Sequence, residues 1–443
     1  MFLKNYDQIV SNGQTQYLQK KRKNVLDIFT AALESANPYN AVKRVFEEGR
    51  IVFEAKVFDT SDFENIFVVG FGKASVGMVQ AVCDFVTVSK GVVVTNDTSA
   101  RLECDKIEVV IGGHPIPDHQ SIKSAEKIIE VVKRCGEKDL LIVLVSGGGS
   151  ALLCKPRVSL EDLQKTTNFL LRSGADINEI NAIRKHLSYV KGGQLVRLAK
   201  GVVVSLIISD IVNDPIESIA SGPTSPDSTT FSDAKKILEK YFLWDKVPVE
   251  VRKVVEDGLK GIIVETPKKD DSVFDEVHNF IIANNEIVCN AALDKAKSMG
   301  YKAKILTTSL TGEAKHAGNV LINKAENHRD KLTVFISGGE TTVTIKGDGR
   351  GGRNQELVLG CVERIANSDI VLASFATDGI DGKSDAAGAI ADGFTLSRAN
   401  KKQLNPDKFL EENNSYEFFS ELNDLLITGP SGTNVMDIQL IVI

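Results

Sequence analysis

The sequence predicts an α/β protein of two domains, the first built on a parallel sheet covered by helices on both faces. Three observations carry this. Short β-branched apolar runs alternate with helix-length amphipathic stretches. The runs are apolar at successive positions, as in strands buried on both sides, rather than alternating as in half-solvated sheets. The length of 443 residues exceeds what one hydrophobic core holds.

Residues 1–20 read as a loose lead-in, continuing into an amphipathic helix that ends near Asn37-Pro38, where proline disfavours helical geometry in the preceding residue. The basic run Lys20 to Lys23 reads as the solvated face of that helix. The first domain, residues 21–265, takes strands at 66–70 (IFVVG), 91–95 (GVVVT), 107–111 (IEVVI), 140–145 (LLIVLV) and 202–208 (VVVSLII). From 224 to 275 the rhythm loosens into a turn cluster (PTSPDSTT), two polar helices and a charged spacer (PKKDDS), which places the domain boundary there. The second domain, residues 276–443, restarts the alternation. Its strands fall near 278–283, 302–306, 332–336 and 370–376, its helices near 285–298, 312–328 and 353–366, and a glycine turn leads into a closing strand.

Two echoes link the halves: VLVSGGGS (143–150) with VFISGGET (334–341), and LIISDIVND with SFATDGIDG. Each sets Ser-Gly-Gly or Asp at the carboxyl end of an apolar strand, the edge where open α/β sheets bind ligands. Two such edges predict an active site in the cleft between the domains.

Composition narrows the function. Hydrophobic residues at 42%, charged residues at 25% and 11 prolines describe an ordinary globular protein rather than a disordered or collagenous one. A formal charge of −6 leaves no electrostatic footprint for nucleic acid or an anionic membrane, so an anionic ligand must be held locally. The six cysteines form no CxxC pair and read as reduced, mostly buried thiols. With no signal-like start and no apolar run of about 20 residues, the expected compartment is the cytoplasm.

VVGFGKASVG (68–77) runs from a strand through Gly70 and Gly72 towards a helix, a form that lets backbone approach a phosphate. It is not GxGxxG, because Gly77 comes two positions late, and not a P-loop, because Phe67 stands at the first glycine. Lys73 is the informative residue: a cation at a helix start opposes the macrodipole, and a bound anion removes the penalty. GDGRGGRNQELVLG (347–360) repeats the argument with Arg350 and Arg353, whose guanidinium groups suit phosphate or carboxylate. Ser146, Gly147, Gly148, Gly149 and Ser150 follow a buried strand, and their amides and hydroxyls suit an anion nest. Ser337, Gly338 and Gly339 are the same device with Glu340 added.

Asp210, Asp214, Asp378, Asp381 and Asp385 lie just past strands and suit Mg²⁺, which takes one or two carboxylates plus substrate phosphates; each serves equally as an Asx-turn or helix cap. Arg184, Lys185 and Lys191 make NAIRKHLSYVKGG basic, either as a helix C-terminal charge effect or as a substrate wall. His114, in GGHPIPD, reads as a structural histidine, as do His119 and His186. The sequence has no GxSxG elbow, no HExxH and no HRD paired with DFG, which removes support for α/β-hydrolase, zincin and protein-kinase chemistry. Glycine loops, lysine, arginine and aspartate suit phosphoryl transfer, where catalysis is largely positioning and charge neutralisation.

Taken in order, GFGKAS (70–75), GGHPIPD (112–118), VSGGGSALL (145–153), NAIRKHLSYVKGG (181–193), SDIVNDPIESIASGPTSPD (209–227), SGGETTVT (337–344), GRGGRNQE (349–356), TDGIDGKSDAAGA (377–389) and TGPSGTNVMDI (428–438) resemble the glycerate 2-kinase family, whose C-terminal part is called the MOFRL domain. The resemblance covers nearly all the chain after residue 20. It implies a Rossmann-like N-terminal domain, a second, MOFRL-type α/β domain, and phosphorylation of D-glycerate on its 2-hydroxyl using ATP and Mg²⁺. Lys73 and Arg350 or Arg353 match the family's charged active-site groups. One departure is Lys383-Ser384, where the family often has Pro-Thr.

The expected assignment is then specific. Lys73, Arg350 and Arg353 are catalytic. Gly70, Gly72, the 146–150 loop and 337–339 hold nucleotide phosphates, Arg184, Lys191 and Asn354 hold glycerate, and Asp210, Asp214 or Asp378 hold Mg²⁺. The expected partners are ATP and D-glycerate, with a homodimer as candidate assembly and neither nucleic acid nor membrane. Two rivals remain. A nicotinamide-dependent hydroxypyruvate reductase would use GFGKASVG and Asp97 as a ribose-binding acid. A non-catalytic protein would close on a small anion without turnover.

Overall fold

The computed structural model describes residues 3–327 and 332–443, so the first two residues of the expected lead-in and the expected helix end at 328 lie outside the described residues. The chain divides into two compact units: Pro38–Ile282, and the segment up to Asn37 together with Ala283–Ile443.

Among the described residues of the unit Pro38–Ile282, a six-stranded sheet is built from Ile66–Phe71, Lys90–Thr95, Ile107–Ile111, Leu140–Val145, Val202–Ile208 and Val277–Ala283. Side by side these run third, second, first, fourth, fifth, sixth, and the first five pair in parallel. Both faces are buried, as the unbroken apolar runs require. Phe67, Val69, Val92, Val94, Leu141 and Val143 face Ala125, Ile128 and Val132 of helix His119–Val132. On the opposite side, a Cβ at Gly70 would lie 3.3 Å from Val79 of helix Ser75–Phe85. Each such valine or leucine contributes roughly 1.5–3 kcal/mol by leaving water. The strand order reverses between the first and fourth strands, which opens a crevice at their carboxyl ends.

The sheet of the other unit orders Lys302–Leu310, Thr333–Gly339, Asp437–Val442, Val371–Ala376, Gly388–Asp392 and Leu425–Leu426. Its first pair is parallel and the others antiparallel. Because Asp437–Val442 runs against both its neighbours, Gly339 and Ala376 each lie opposite Asp437. Two strand ends and one strand start therefore converge at one edge. Beneath the sheet, Phe335, Leu372 and Ile441 share a core with Leu357, Val358, Phe418 and Phe419.

Four expectations are corrected. The strand at 277–283, expected to open the second domain, is the sixth strand of the first sheet: Val203 N donates to Glu276 O at 2.8 Å, and Val273 and Phe274 of the charged spacer pack on the first core. Residues 3–20 are not a loose lead-in, and the helix they run into does not belong with the first domain. Ile9, on helix Tyr6–Ser11, is fully buried, and Asn12 Nδ2 donates to Leu422 O and Asp424 Oδ1, both at 2.7 Å. Helix Gln16–Ser35 lies in the unit of Ala283–Ile443, and its basic run is solvated at Lys20 and Lys23 but buried at Lys21 and Arg22. Arg22 is fully buried between Asp392 and Asp424, at 2.7 Å from each, and Lys21 Nζ donates to Asp369 O at 2.6 Å. These two of the four charges fasten the helix. Among the described residues, no helix is long and apolar enough to cross a membrane.

Candidate active site

At the crevice of the first sheet, the loops after the first and fourth strands are locked together. Lys73 N donates to Gly147 O at 2.9 Å, and Ala74 N donates to Ser146 Oγ at 3.1 Å. Gly72 has φ +131°, and a Cβ there would fall 2.1 Å from Ser146 Oγ, so this glycine serves the contact between loops. Gly70 lies inside its strand and makes room for Val79. Neither of these two glycines has the ligand-facing place that the motif alone suggests. Lys73 itself is exposed at the helix start, and its ammonium forms no ion pair among the described residues.

The five residues of the SGGGS loop divide their work. Ser146 is buried and bonds the neighbouring loop. A Cβ on Gly147 would fall 2.2 Å from Asp210 Oδ2, so that carboxylate lies directly on the loop. Gly148 turns left-handed at φ 84°, with His114 and Lys73 closing on its Cα. Gly149 admits Ala220, whose Cβ lies 2.8 Å from where its own would be. Ser150 Oγ and Ser221 Oγ share a hydrogen bond at 2.9 Å. Ala220 and Ser221 both hold positive φ, 51° and 63°, a cost of roughly 1–3 kcal/mol each that clusters where function lies.

Beside this loop is a cavity of about 420 Å³, lined at its polar end by His114, Gly148, Ser150, Arg184 and Lys191 and elsewhere by Pro115, Ile116, Pro117, Leu163 and Leu171. Lys191 donates to Ser150 O at 2.6 Å and Leu153 O at 3.3 Å, and burial pushes its ammonium down to about 8. Arg184 lines the same end, makes no hydrogen bond or ion pair among the described residues, and has its pKa lowered by burial. Lys185, next to it in sequence, is turned inward onto Asp227 at 3.2 Å. An unpaired guanidinium in a half-enclosed cavity attracts a carboxylate or phosphate.

His114 is not a satisfied structural histidine. Its ring lines the cavity without a hydrogen bond among the described residues, and burial, then Lys73, lowers its pKa. His186 does fit the structural reading, with ring nitrogens bonded to Ala182 O at 2.6 Å and Glu265 Oε1 at 2.8 Å.

In the other unit the predicted residues are also close together, but they are mostly engaged with one another. Ser337, Gly338 and Gly339 lie within a strand rather than a free loop; Gly338 abuts Asn285, and Gly339 abuts Leu310 at φ 140°. Arg353 is gripped by Asp437, with Nε to Oδ2 at 2.5 Å and Nη2 to Oδ1 at 2.9 Å, and reaches Glu340 at 2.7 Å. Asn354 is buried, donating to Asp381 Oδ1 at 3.3 Å and accepting from Ser374 Oγ at 2.5 Å, so its amide is occupied inside the fold. Arg350 stacks on Tyr416 at 3.8 Å and pairs with Asp385 at 2.8 Å, and remains exposed. Asp381, one of the aspartates expected either to hold Mg²⁺ or to cap a helix, accepts from the backbone of Asn354 and Gln355 at the start of helix Arg353–Leu359, the cap alternative. It supplies the negative charge that this helix start favours.

Asp378 Oδ1 accepts from Ile380 N at 3.0 Å, the Asx-turn alternative. Asp214 sits in a left-handed turn with Asn213, past the strand that ends at Ile208. Among the described residues no group of three His, Cys, Asp or Glu forms a metal shell. Asp210 on the SGGGS loop still offers the single carboxylate that Mg²⁺ needs when substrate phosphates supply further ligands.

The fold and these two edges define a two-unit α/β protein with a glycine loop at the crevice of its first sheet. Residues 24–256 match a domain of unknown function, DUF4147, and residues 333–437 match the MOFRL family. A glycerate 2-kinase of Pyrococcus horikoshii is 44% identical over 423 residues, spanning 93% of this chain and 95% of that protein. The solved structure of a glycerate kinase from Thermotoga maritima has a TM-score of 0.86 at 37% identity, covering 95% of this chain and 99% of that one. A protein of Agrobacterium vitis named as a putative hydroxypyruvate reductase is 39% identical, over 94% of this chain and 93% of its own length. The chain belongs to the glycerate 2-kinase family.

Proposed function

We propose that the protein transfers the γ-phosphoryl group of ATP to the 2-hydroxyl of D-glycerate, giving 2-phosphoglycerate and ADP. Full-length similarity to glycerate 2-kinases supports the reaction, and the observation that carries it to residues is Lys73, whose backbone bonds the SGGGS loop at the switch point. The amides of Gly147 and Gly148 receive phosphate oxygens, and Lys73 neutralises charge on the transferring group. Arg184 holds the glycerate carboxylate in the cavity. Asp210 would hold Mg²⁺, which would supply charge neutralisation for the transferring phosphoryl group. Arg350 is the more available arginine, since it gains a phosphate oxygen by releasing one exposed partner, Asp385. The free thiols of the six cysteines fit a reducing compartment, and we place the protein in the cytoplasm.

The reductase name among the relatives keeps a second reading in view. Against it, Gly77 packs on Pro38 rather than completing a fingerprint, and Asp97 Oδ1 is used by Ser99 N and Oγ at 2.8 and 2.6 Å. The deciding experiment is ADP release from ATP and Mg²⁺ with and without D-glycerate, with the product located by phosphorus NMR. Glycerate-dependent ADP with a 2-phosphate signal supports the kinase. NADH oxidation by hydroxypyruvate without any such ADP overturns it.

A further inference from the structure

We propose that His114 takes the proton from the attacking glycerate hydroxyl, making it a catalytic residue of the kinase reaction; the inference rests on the kinase reading above. The imidazole's Cδ2 and Nε2 lie 3.0 and 3.1 Å from the point where a Cβ on Gly148 would stand, and Lys73 Cγ lies 3.4 Å from that same point. The absent side chain at Gly148 is what lets the lysine and the imidazole meet on one turn of the phosphate loop. The ring also lines the cavity that holds the unpaired Arg184. One side chain thus faces both the loop assigned to phosphate and the cavity assigned to the acceptor.

The ring lacks the marks of a structural role. It forms no hydrogen bond among the described residues, whereas His186 uses both of its nitrogens. Its charged surroundings also suit a base. Lys73, Arg184 and Lys191 are cations on the elements around it, and the Cys154 thiol is pushed up by burial and stays neutral. Asp118, four residues along the same turn, is occupied by Gly113 N at 3.1 Å and Ser121 N at 2.8 Å, and Asp210 lies on Gly147. Burial and the Lys73 cation keep the imidazole neutral and able to accept a proton.

In the step itself, the 2-oxygen of glycerate attacks the γ-phosphorus while its proton passes to Nε2. The new O–P bond forms, the bond from phosphorus to the β,γ-bridging oxygen breaks, and ADP leaves with that electron pair. The imidazolium then returns its proton to water.

The test compares wild type, His114→Ala and His114→Gln by glycerate-dependent ADP release across pH, with and without added imidazole. Both variants should lose roughly 100-fold in kcat while KM for glycerate and the thermal midpoint stay near wild type. The acid limb of the wild-type kcat/KM profile should fall below the ordinary imidazole range and vanish in His114→Gln, and imidazole should restore part of the His114→Ala rate. A kcat within about threefold of wild type, an acid limb retained in His114→Gln, or no response to imidazole overturns the role of His114 while leaving the kinase reading intact. Absence of glycerate-dependent ADP in the wild type overturns both.

Discussion

The Arg353 guanidinium meets the Asp437 carboxylate in a two-pronged pair, and the pair joins the start of helix Arg353–Leu359 to the first residue of the closing strand. Asp437 is almost fully buried while Arg353 is partly exposed, so removing the acid leaves a cation with only Glu340. Asp437→Ala should cost up to about 3 kcal/mol, below the usual figure for a wholly buried pair because Arg353 regains some water. Urea unfolding measures this, and an unchanged midpoint would show that the pair contributes nothing net.

Lys73 is exposed, with no partner among the described residues, so its side chain does little for the fold. Lys73→Ala should lower turnover roughly 100-fold or more, the scale of losing one charge-stabilising donor, and move the thermal midpoint very little. ADP release and a melting curve on the same preparation separate the two effects. A variant with near-wild-type turnover removes Lys73 from the mechanism.

Gly147 tests the assignment of Asp210. A methyl group at position 147 would collide with Asp210 Oδ2 and displace that carboxylate. Gly147→Ala should therefore raise the Mg²⁺ concentration needed for half-maximal rate. If the magnesium dependence does not move, Asp210 is not a ligand.

The parallel sheet was legible because burial on both faces writes itself as unbroken apolar runs: the strands at 107–111, 140–145 and 202–208 fall at the residues expected. The sixth strand was legible as a strand but not as part of that sheet, since pairing through Val203 and Glu276 leaves no local signal. Strand Gly388–Asp392 went unnoticed because GAIAD is short and small rather than β-branched. At the site, glycines marked where backbone comes close but not what approaches it. Gly72 and Gly70 serve Ser146 and Val79, whereas Gly147 and Gly148 meet Asp210 and His114. Asp437 was passed over, and Asp381 left between metal ligand and helix cap, because a buried aspartate reads like any turn acid until its partners are seen. Within the basic run, Lys20 and Lys23 are solvated as expected but Arg22 misled for the same reason, as Asp392 and Asp424 are hundreds of residues away.

Asp381 sets one pH dependence. Burial pushes its carboxyl up to about 6, against the donors from Asn354 and Gln355 that pull it down. Unfolded, it would titrate near the ordinary aspartate value of about 3.9. Between those two values the folded chain keeps a proton that the unfolded chain has lost, so this group's stabilisation, complete below pH ~4, is lost as pH rises towards ~6. The slope is at most about 1.4 kcal/mol per pH unit. Asp381→Asn cannot titrate, and unfolding free energies of the two proteins across this range should converge on that difference in slope.

Lys191 sets the opposite dependence. Its ammonium is pushed down to about 8 by burial, with Arg184 adding to the effect, whereas in the unfolded chain it holds its proton to about 10.4. Between these values the unfolded chain binds the extra proton, so this residue's contribution moves in favour of the folded state as pH rises from ~8 towards ~10. Below ~8 both states are charged, and the folded state bears the cost of a buried ammonium that only Ser150 O and Leu153 O solvate. Lys191→Met keeps the length of the side chain and removes the titration. The difference in unfolding free energy, wild type minus variant, should therefore grow more positive across that alkaline range by up to about 1.4 kcal/mol per pH unit. A flat difference would mean that water reaches the amine and that the polar end of the cavity is wetter than its packing indicates.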